Sequence, residues 1–262
     1  MKAMILAAGM GTRLRPLTDA RPKALVELSG RTLLEITLTR LRTFGVTEAI
    51  INVHHFADQV IDYLKSHKNF GLRIEISRED VLLDTGGGLK KAAWFFLEDR
   101  ARPDSSQKDE PFLLHNVDVI SNIDFARMLQ FHIENQALAT LAVQSRETSR
   151  PLLFDDQNQL RGRRIDGQDI FISLSDAHAT PHSPLDTRHS PLPLAFSGIH
   201  IISPRLLPML TEEGVFSIIP SYLRLSAQGQ KILAFRADQY YWRDLGRPSD
   251  LAQAALDLQQ NV

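Results

Sequence analysis

Short apolar runs alternate with segments of helical periodicity through the first half of the chain. The apolar runs predict buried strands at 4–7, 49–53, 72–77, 111–114 and 138–143. Between them, apolar residues recur every three or four positions, and this spacing predicts helices at 33–44, 58–66, 89–97 and 123–135. Repeated strand–helix alternation requires crossover connections, which favour a mostly parallel sheet with helices on both faces.

The pattern changes after Arg150. Short runs at 152–154, 159–165 and 170–173 are typical of antiparallel strands. Further strands are predicted at 195–202 and 231–235, and helices near 204–210, 217–227 and 248–260. The sequence therefore predicts an α/β fold, namely a Rossmann-like, mostly parallel sheet flanked by helices, with a small antiparallel insertion. We expect one domain over 1–262, composed of the halves 1–145 and 146–262.

A proline-rich segment at 174–193 interrupts the second half. Its apolar content is too low to bury, so we expect an exposed or disordered loop there. The segment holds three histidines, but their irregular spacing and lack of carboxylate partners do not favour a metal site; they are His178, His182 and His189.

Composition excludes several classes of function. The 262 residues carry a net charge of -1, so no overall basic field suggests a nucleic-acid partner. The absence of cysteine excludes disulfides, thiolate metal sites and cysteine nucleophiles. No apolar run is long enough to span a membrane, and the first residues do not resemble a secretion signal. We therefore expect a cytoplasmic protein without a membrane or nucleic-acid partner.

The glycine-rich turn after the first predicted strand is the strongest indication of function. Its candidate anion-binding residues are Ala7, Ala8, Gly9, Gly11 and Thr12. Glycine permits close approach, so backbone N–H groups in such a turn can face one anion. The turn does not match a Walker A loop, which needs Lys-Ser or Lys-Thr, nor a dinucleotide fingerprint, which needs a third glycine where this chain has Leu14.

Two cations accompany the turn. Arg13 offers a bidentate fork to phosphate oxygens, and Lys23, ten residues later, offers a point charge. A compact loop between them can direct both side chains at one triphosphate. We therefore predict catalytic roles for Arg13 and Lys23.

Two isolated aspartates follow predicted strands. Asp118 lies at the carboxyl end of the apolar strand that starts near Pro111, where open α/β sheets place their ligands. Asp244 follows a second strand late in the chain. Each alone could be a turn former or a helix cap. Together they are candidates to hold Mg²⁺, which takes few protein carboxylates and keeps other positions for phosphate and water.

Further glycines are candidates for substrate contacts. Gly86 and Gly87 belong to a triplet that could present backbone groups to a flat base, although a flexible helix start is the alternative. Gly198 interrupts a strand, which indicates close approach of a ligand or a simple bulge. Asn116, just before the predicted metal ligand, is a further substrate-binding candidate.

These segments resemble the sugar-nucleotide pyrophosphorylases, also called sugar-1-phosphate nucleotidyltransferases. The resemblance covers nearly the whole chain, and the run at 7–18 with 22–25 is similar to the signature loop of that family. It implies that Arg13 and Lys23 bind the triphosphate and that Asp118 and Asp244 bind Mg²⁺. It also implies a nucleotide-binding half at 1–145 and a sugar-binding half at 146–262.

The resemblance extends to substrates. The Thr-Gly-Gly-Gly segment implies base binding by Gly86 and Gly87, and the Phe-Ser-Gly segment implies sugar contact by Gly198. The chain is most similar to the N-acetylmuramic acid 1-phosphate uridylyltransferases, which implies UTP and that sugar phosphate as substrates. It departs from the family at Val117, where glycine is usual, and at Arg247, where threonine is usual.

Three alternatives stay open at this point. Guanylyltransferases for mannose or heptose 1-phosphate share the same motifs. A non-catalytic nucleotide-sugar sensor could use the same fold. A cytidylyltransferase acting on a non-sugar phosphate is the third alternative, and the oligomeric state is open as well.

Overall fold

A ten-stranded sheet forms the centre of the computed structural model, which describes residues 1–97, 109–172 and 191–259. The strands of this sheet and of two small ribbons are β1 (Lys2–Leu6), β2 (Glu27–Leu28), β3 (Arg31–Thr32), β4 (Glu48–Val53), β5 (Arg73–Arg78), β6 (Phe112–Asn116), β7 (Val119–Ser121), β8 (Ala139–Gln144), β9 (Leu152–Phe154), β10 (Leu160–Ile165), β11 (Gln168–Phe171), β12 (Leu192–Ile202), β13 (Ile232–Arg236) and β14 (Trp242–Asp244).

Seven helices accompany the strands within the described residues. They are α1 (Leu33–Thr43), α2 (Ala57–Ser66), α3 (Asp84–Lys91), α4 (Ala93–Leu97), α5 (Phe125–Glu134), α6 (Ile218–Ala227) and α7 (Pro248–Gln259). The predicted helix near 204–210 is a 3-10 helix at Pro204–Met209. Among all the described residues, no helix combines the length and apolar character needed to cross a membrane.

The strand directions confirm the predicted sheet. β5, β4, β1 and β6 are neighbours in that order and run parallel. β12 lies between β6 and β8 and is antiparallel to both, and β13 pairs in parallel with β8. Only β12 therefore runs against the others among these seven strands. The antiparallel insertion, β9 to β11, continues the sheet from the start of β12.

Apolar residues on both faces of the central strands explain why helices cover both faces. Met4 packs in one core cluster and its neighbour Ile5 in another, because successive side chains of a strand point to opposite sides. The pair Ile50 and Ile51 repeats this arrangement in β4. Such doubly buried strands are typical of parallel sheets.

The starts of two predicted elements differ from the structure by more than two residues. The helix expected at 89–97 is two helices, and α3 begins at Asp84, so the glycine triplet lies inside the helix instead of before it. β12 begins at Leu192, so the end of the segment predicted as a loop is a strand. The rest of that prediction, including His178, His182 and His189, lies outside the described residues.

Candidate active site

A cleft of about 330 Å³ opens at the carboxyl ends of the parallel strands. β1 and β6 each contribute their last residue to its wall, Leu6 and Asn116, and β4 contributes its last residue but one, Asn52. The other lining residues are Ala7, Ala8, Gly9, Lys23, Glu79, Leu82, Asp84, Thr85, Val117, Asp118 and Val215. Six residues predicted for the site lie in this wall, namely Ala7, Ala8, Gly9, Lys23, Asn116 and Asp118. Their roles stay predictions.

A two-stranded ribbon brings the two aspartates together. In it, β14 pairs with β7 so that Asp244 lies opposite Val119, and the N–H of Leu245 donates to the carbonyl oxygen of Asp118 at 2.7 Å. Burial raises the pKa of Asp244, and the negative charge of Asp118 raises it further. Residues separated by more than a hundred positions thus place two oxygen donors close enough to repel each other.

Each predicted cation contacts one of these aspartates. The Nζ of Lys23 is paired with Oδ2 of Asp118, and an Nη of Arg13 lies 4.0 Å from Oδ1 of Asp244. Gly246 permits this approach, because a Cβ there would lie 2.6 Å from the Arg13 guanidinium. We call Arg13, Lys23, Asp118 and Asp244 the charged quartet. The formal charges of these four side chains sum to zero.

The glycine-rich turn is shaped by a residue that the sequence analysis missed. Oδ1 of Asn52 accepts hydrogen bonds from the N–H groups of Ala7 and Ala8, at 2.7 and 3.3 Å. Within the described residues, the N–H groups of residues 9–13 donate to no acceptor. The first two amides of the turn therefore fix its path, while the next five are free for an anion. The available signal was a polar residue within the apolar run 49–53.

A buried glutamate supports Asn52. Glu79 is 2% exposed, and its Oε1 accepts a hydrogen bond from the Asn52 side-chain amide at 2.7 Å. Its Oε2 accepts from the N–H of Leu83 at 2.9 Å. Buried carboxylates need such donors because desolvation is costly. The pair links the end of β4 to the segment before α3, on the cleft wall.

Gly86 and Gly87 are packed against the segment before α6. Both N–H groups donate to the carbonyl oxygen of Phe216, at 2.9 and 3.1 Å. A Cβ on Gly86 would lie 2.4 Å from the Phe216 ring, and one on Gly87 would lie 2.4 Å from the oxygen of Gly214. The premise that their N–H groups are free is therefore wrong, and the glycines serve close packing. Their assignment to base binding stays a prediction.

Gly198 and Asn116 meet at the junction of β12 and β6. The φ angle of Gly198 is +71°, and a Cβ there would lie 2.7 Å from the Asn116 side-chain nitrogen. The β12–β8 register shifts between Phe196 and His200, so Gly198 lies in a bulge. The structure thus brings the two predicted substrate-binding residues together, and their roles stay predictions. Val117, which departs from the usual glycine, is 2% exposed and packs in the core.

Arg146 and Trp242 form a stacked pair beside this bulge. The sequence alone did not predict this pair. The Arg146 guanidinium carbon is 3.8 Å from the centroid of the Trp242 ring. The indole N–H donates to the carbonyl oxygen of Ser197 at 2.7 Å, and Arg146 donates to that of Phe196 at 2.7 Å. Burial lowers the pKa of Arg146, and the charge of Asp244 opposes this shift. No spacing in the sequence joins residues so far apart.

Comparison with known families decides the general identity. The family described as nucleotidyl transferase matches residues 2–152, which is more than half of the chain. The chain belongs to the nucleotidyl transferase family. The predicted enzyme class is thereby confirmed. The matched segment contains the glycine-rich turn, the cleft wall except Val215, and the charged quartet except Asp244.

Relatives of the nucleotidyltransferase cover most of its length. It is similar to the N-acetylmuramate alpha-1-phosphate uridylyltransferase of Caulobacter vibrioides, with 34% identity over 94% of this chain and 92% of the relative. It is also similar to mannose-1-phosphate guanyltransferase beta-B of Xenopus laevis, with 28% identity over 95% of this chain. Of that longer protein the chain spans 62%.

Solved structures confirm the fold. HddC from Yersinia pseudotuberculosis, complexed with GMP-PN, has a TM-score of 0.71 at 20% identity, covering 98% of this chain and 99% of that one. A UDP-glucose pyrophosphorylase complexed with UDP-glucose has a TM-score of 0.73 at 17% identity, covering 100% of this chain and 99% of that one. The mixed sheet with helices on both faces is therefore a known architecture.

Proposed function

We propose that the protein transfers a nucleotidyl group from a nucleoside triphosphate to a sugar 1-phosphate, with release of pyrophosphate. UTP and N-acetylmuramic acid 1-phosphate are the favoured substrates, and the cytoplasm is the expected location. The charged quartet at the cleft is the observation that carries this proposal. The relative from Caulobacter vibrioides, similar over 94% of the chain, supports the choice of substrates.

Magnesium is part of the proposal, and the two aspartates fit it. Their oxygens are hard donors, and Mg²⁺ takes only one or two carboxylates where phosphates complete its coordination. Burial and the negative charge of Asp118 both raise the pKa of Asp244, which supports placing the two carboxylates at one site. Asp118 and Asp244 would hold the ion. When bound, Mg²⁺ supplies positive charge that offsets the charge of the phosphates.

The protein's own groups position the reactants. The free N–H groups of residues 9–13 and the Arg13 guanidinium receive the triphosphate. Lys23 lies where its ammonium can shift from Asp118 to a phosphate oxygen as negative charge develops. A phosphate oxygen of the sugar substrate is already a nucleophile, so the reaction needs alignment and charge neutralisation instead of an activated side chain.

The test is pyrophosphate release with Mg²⁺, measured with UTP, GTP, CTP, dTTP and ATP against a panel of sugar 1-phosphates. We expect turnover with UTP and N-acetylmuramic acid 1-phosphate. Turnover only with GTP and mannose or heptose 1-phosphate would replace the uridylyl proposal by the guanylyl alternative. Turnover only with CTP and phosphocholine would indicate the non-sugar alternative.

A control separates catalysis from sensing. If no combination of nucleoside triphosphate and sugar 1-phosphate releases pyrophosphate while nucleotide-sugar binding is measurable, the sensor alternative is established and the proposal is overturned. The variant Arg13→Ala should bind nucleotide weakly and release little pyrophosphate, whereas Arg21→Ala, which removes an exposed cation paired with Glu27, should behave as the parent protein.

A further inference from the structure

Arg146 is a cation beside the site whose hydrogen-bonding capacity is largely unused. Its Nη2 donates to the carbonyl oxygen of Phe196. Its Nε is buried, and no acceptor for it exists within residues 1–97, 109–172 and 191–259. A guanidinium is a planar fork of donors suited to carboxylates and phosphates. Because the Nε is buried, a ligand would bind the Nη atoms: Nη2 keeps one N–H, and Nη1 has no acceptor within the same residues.

The Arg146 guanidinium is held in a defined orientation. The Trp242 ring lies against one of its faces, with the guanidinium carbon 3.8 Å from the ring centroid. Trp242 is itself fixed by the hydrogen bond from its indole N–H to Ser197. Stacking on an aromatic ring leaves the N–H groups at the edge of the plane for an in-plane partner. The fork is therefore oriented before any partner arrives.

The position of Arg146 relative to the aspartates indicates which part of a substrate it meets. Trp242 and Asp244 are two residues apart in β14, so their side chains lie on the same face. The rise along a strand separates them by roughly 7 Å, which is about the span of one sugar ring. Arg146, which stacks on Trp242, therefore lies on the Trp242 side of Asp244, next to the bulge at Gly198.

The phosphates already have partners nearer the cleft. The charged quartet and the free N–H groups of residues 9–13 surround the place where phosphates would bind. Arg146 is a further cation, next to the bulge at Gly198, where contact with the sugar is expected. We propose that Arg146 binds a carboxylate carried by the sugar ring, so that the protein selects acidic sugar 1-phosphates over neutral ones. This inference rests on the proposed function and adds a residue that sets specificity.

The test compares an acidic substrate with its neutral isostere. The pair is N-acetylmuramic acid 1-phosphate and the same compound with its carboxylate converted to a carboxamide. Wild-type protein should turn over the acid with a kcat/KM about 10- to 100-fold higher, as expected for one charge-assisted, bidentate contact. Arg146→Gln should remove most of this preference by lowering kcat/KM for the acid and leaving the amide unchanged.

A matched control and a binding measurement complete the test. Arg236 is a nearby cation that contacts Ser145, next to Arg146, and Asp238, so Arg236→Gln removes the same charge and should keep the preference for the acid. Calorimetric affinities of wild-type protein for the acid and the amide give the preference without any variant. Equal affinities for the two compounds would therefore overturn the inference even if Arg146→Gln does not fold.

Each outcome has one meaning. Equal use of acid and amide by wild-type protein overturns the role of Arg146 while the proposed function stands. An equal loss of kcat/KM for both compounds in Arg146→Gln shows that Arg146 only supports Trp242, and overturns the inference as well. Absence of turnover and binding with every sugar 1-phosphate overturns the proposed function and this inference together.

Discussion

Lys23 and Asp118 form an ion pair in the cleft wall, and their side chains are only 12% and 11% exposed. The pair joins a residue predicted to bind phosphate to one predicted to bind metal. Before substrates bind, Asp118 therefore takes the place of the phosphate beside Lys23, and Lys23 takes the place of the metal ion beside Asp118. Removing water from two charges is costly, so the pair persists because each side chain compensates the charge of the other.

Breaking this pair should destabilise the protein. Lys23→Met leaves a largely buried carboxylate without its counter-ion, and we expect the free energy of unfolding to fall by about 3 kcal/mol. Adding Asp118→Asn should recover part of that loss, because the uncompensated charge disappears. Urea unfolding of both single variants and the double variant, as a double-mutant cycle, measures the coupling. Additive losses would show that the two groups do not interact.

Removing the cations should slow the reaction under saturating substrate. We expect Lys23→Ala and Arg13→Ala each to lower turnover by roughly 10²- to 10³-fold, the scale for losing one charge-stabilising donor. Arg21→Ala is the matched control, since its side chain is exposed and 3.9 Å from Glu27. Steady-state pyrophosphate release checks the values. Near-normal turnover in both site variants would remove the cations from the mechanism.

Asn52 should matter for both stability and nucleotide binding. Asn52→Leu leaves the Ala7 N–H and one Glu79 oxygen without partners, so we expect a loss of about 2–4 kcal/mol in the free energy of unfolding. The KM for the triphosphate should also rise, because the turn loses its anchor. Replacing Glu79 by leucine in the same background should recover part of the stability and none of the binding. Full recovery of KM would contradict the role of Asn52.

Two glycines should separate packing from binding. Gly87→Ala places a Cβ 2.4 Å from the backbone oxygen of Gly214, so we expect a loss of about 1–3 kcal/mol. Gly9→Ala meets no atom within 4 Å and should leave the thermal midpoint unchanged. Its methyl group lies on the cleft wall, so the triphosphate KM should rise. Thermal scans and kinetics on both variants test this contrast, and a destabilised Gly9→Ala protein would refute it.

Two buried histidines should make stability depend on pH below neutrality. Burial lowers the pKa of His132 to about 4 and that of His200 to about 3, from 6.5. The unfolded chain takes up both protons as pH falls through 6.5, whereas the folded protein does not. The free energy of unfolding is therefore at its full value above this pH and falls below it, by about 1–2 kcal/mol per histidine at pH 5.

Urea unfolding at pH 7.5 and pH 5.0 measures this loss. His132 hydrogen-bonds Thr140 and Ser203, so His132→Gln keeps polar contacts while removing the titrating ring. The variant should show a smaller difference between the two pH values than wild-type protein. An equal difference in both proteins would assign the pH dependence to other groups.

The sequence predicted the elements better than the contacts that connect them. Periodicity and turn chemistry are local properties of the sequence. Met4 and Ile5, for example, belong to one apolar run, and such a run indicates a strand that is buried on both faces. The anchor of the glycine-rich turn could not be found in this way. Asn52 acts through Ala7, and the only local sign was one polar residue in an apolar run.

The glycine triplet shows a different limit. Consecutive glycines indicate that a backbone comes close to something, but not what it approaches. In this protein the partner of Gly86 and Gly87 is Phe216, more than a hundred residues away. The sequence did not reveal Arg146 and Trp242 for the same reason, since their contact depends on where β8 ends and where β14 begins.

The long strand β12 joins the central sheet to the antiparallel insertion through separate parts of its length. Its last residues pair with β6 and β8, and its first three pair with β9 of the antiparallel insertion. The bulge at Gly198 lies in the same strand, within the part that pairs with β8. Sequence changes in the insertion can therefore accumulate at one edge of the sheet without shifting the register of the parallel strands.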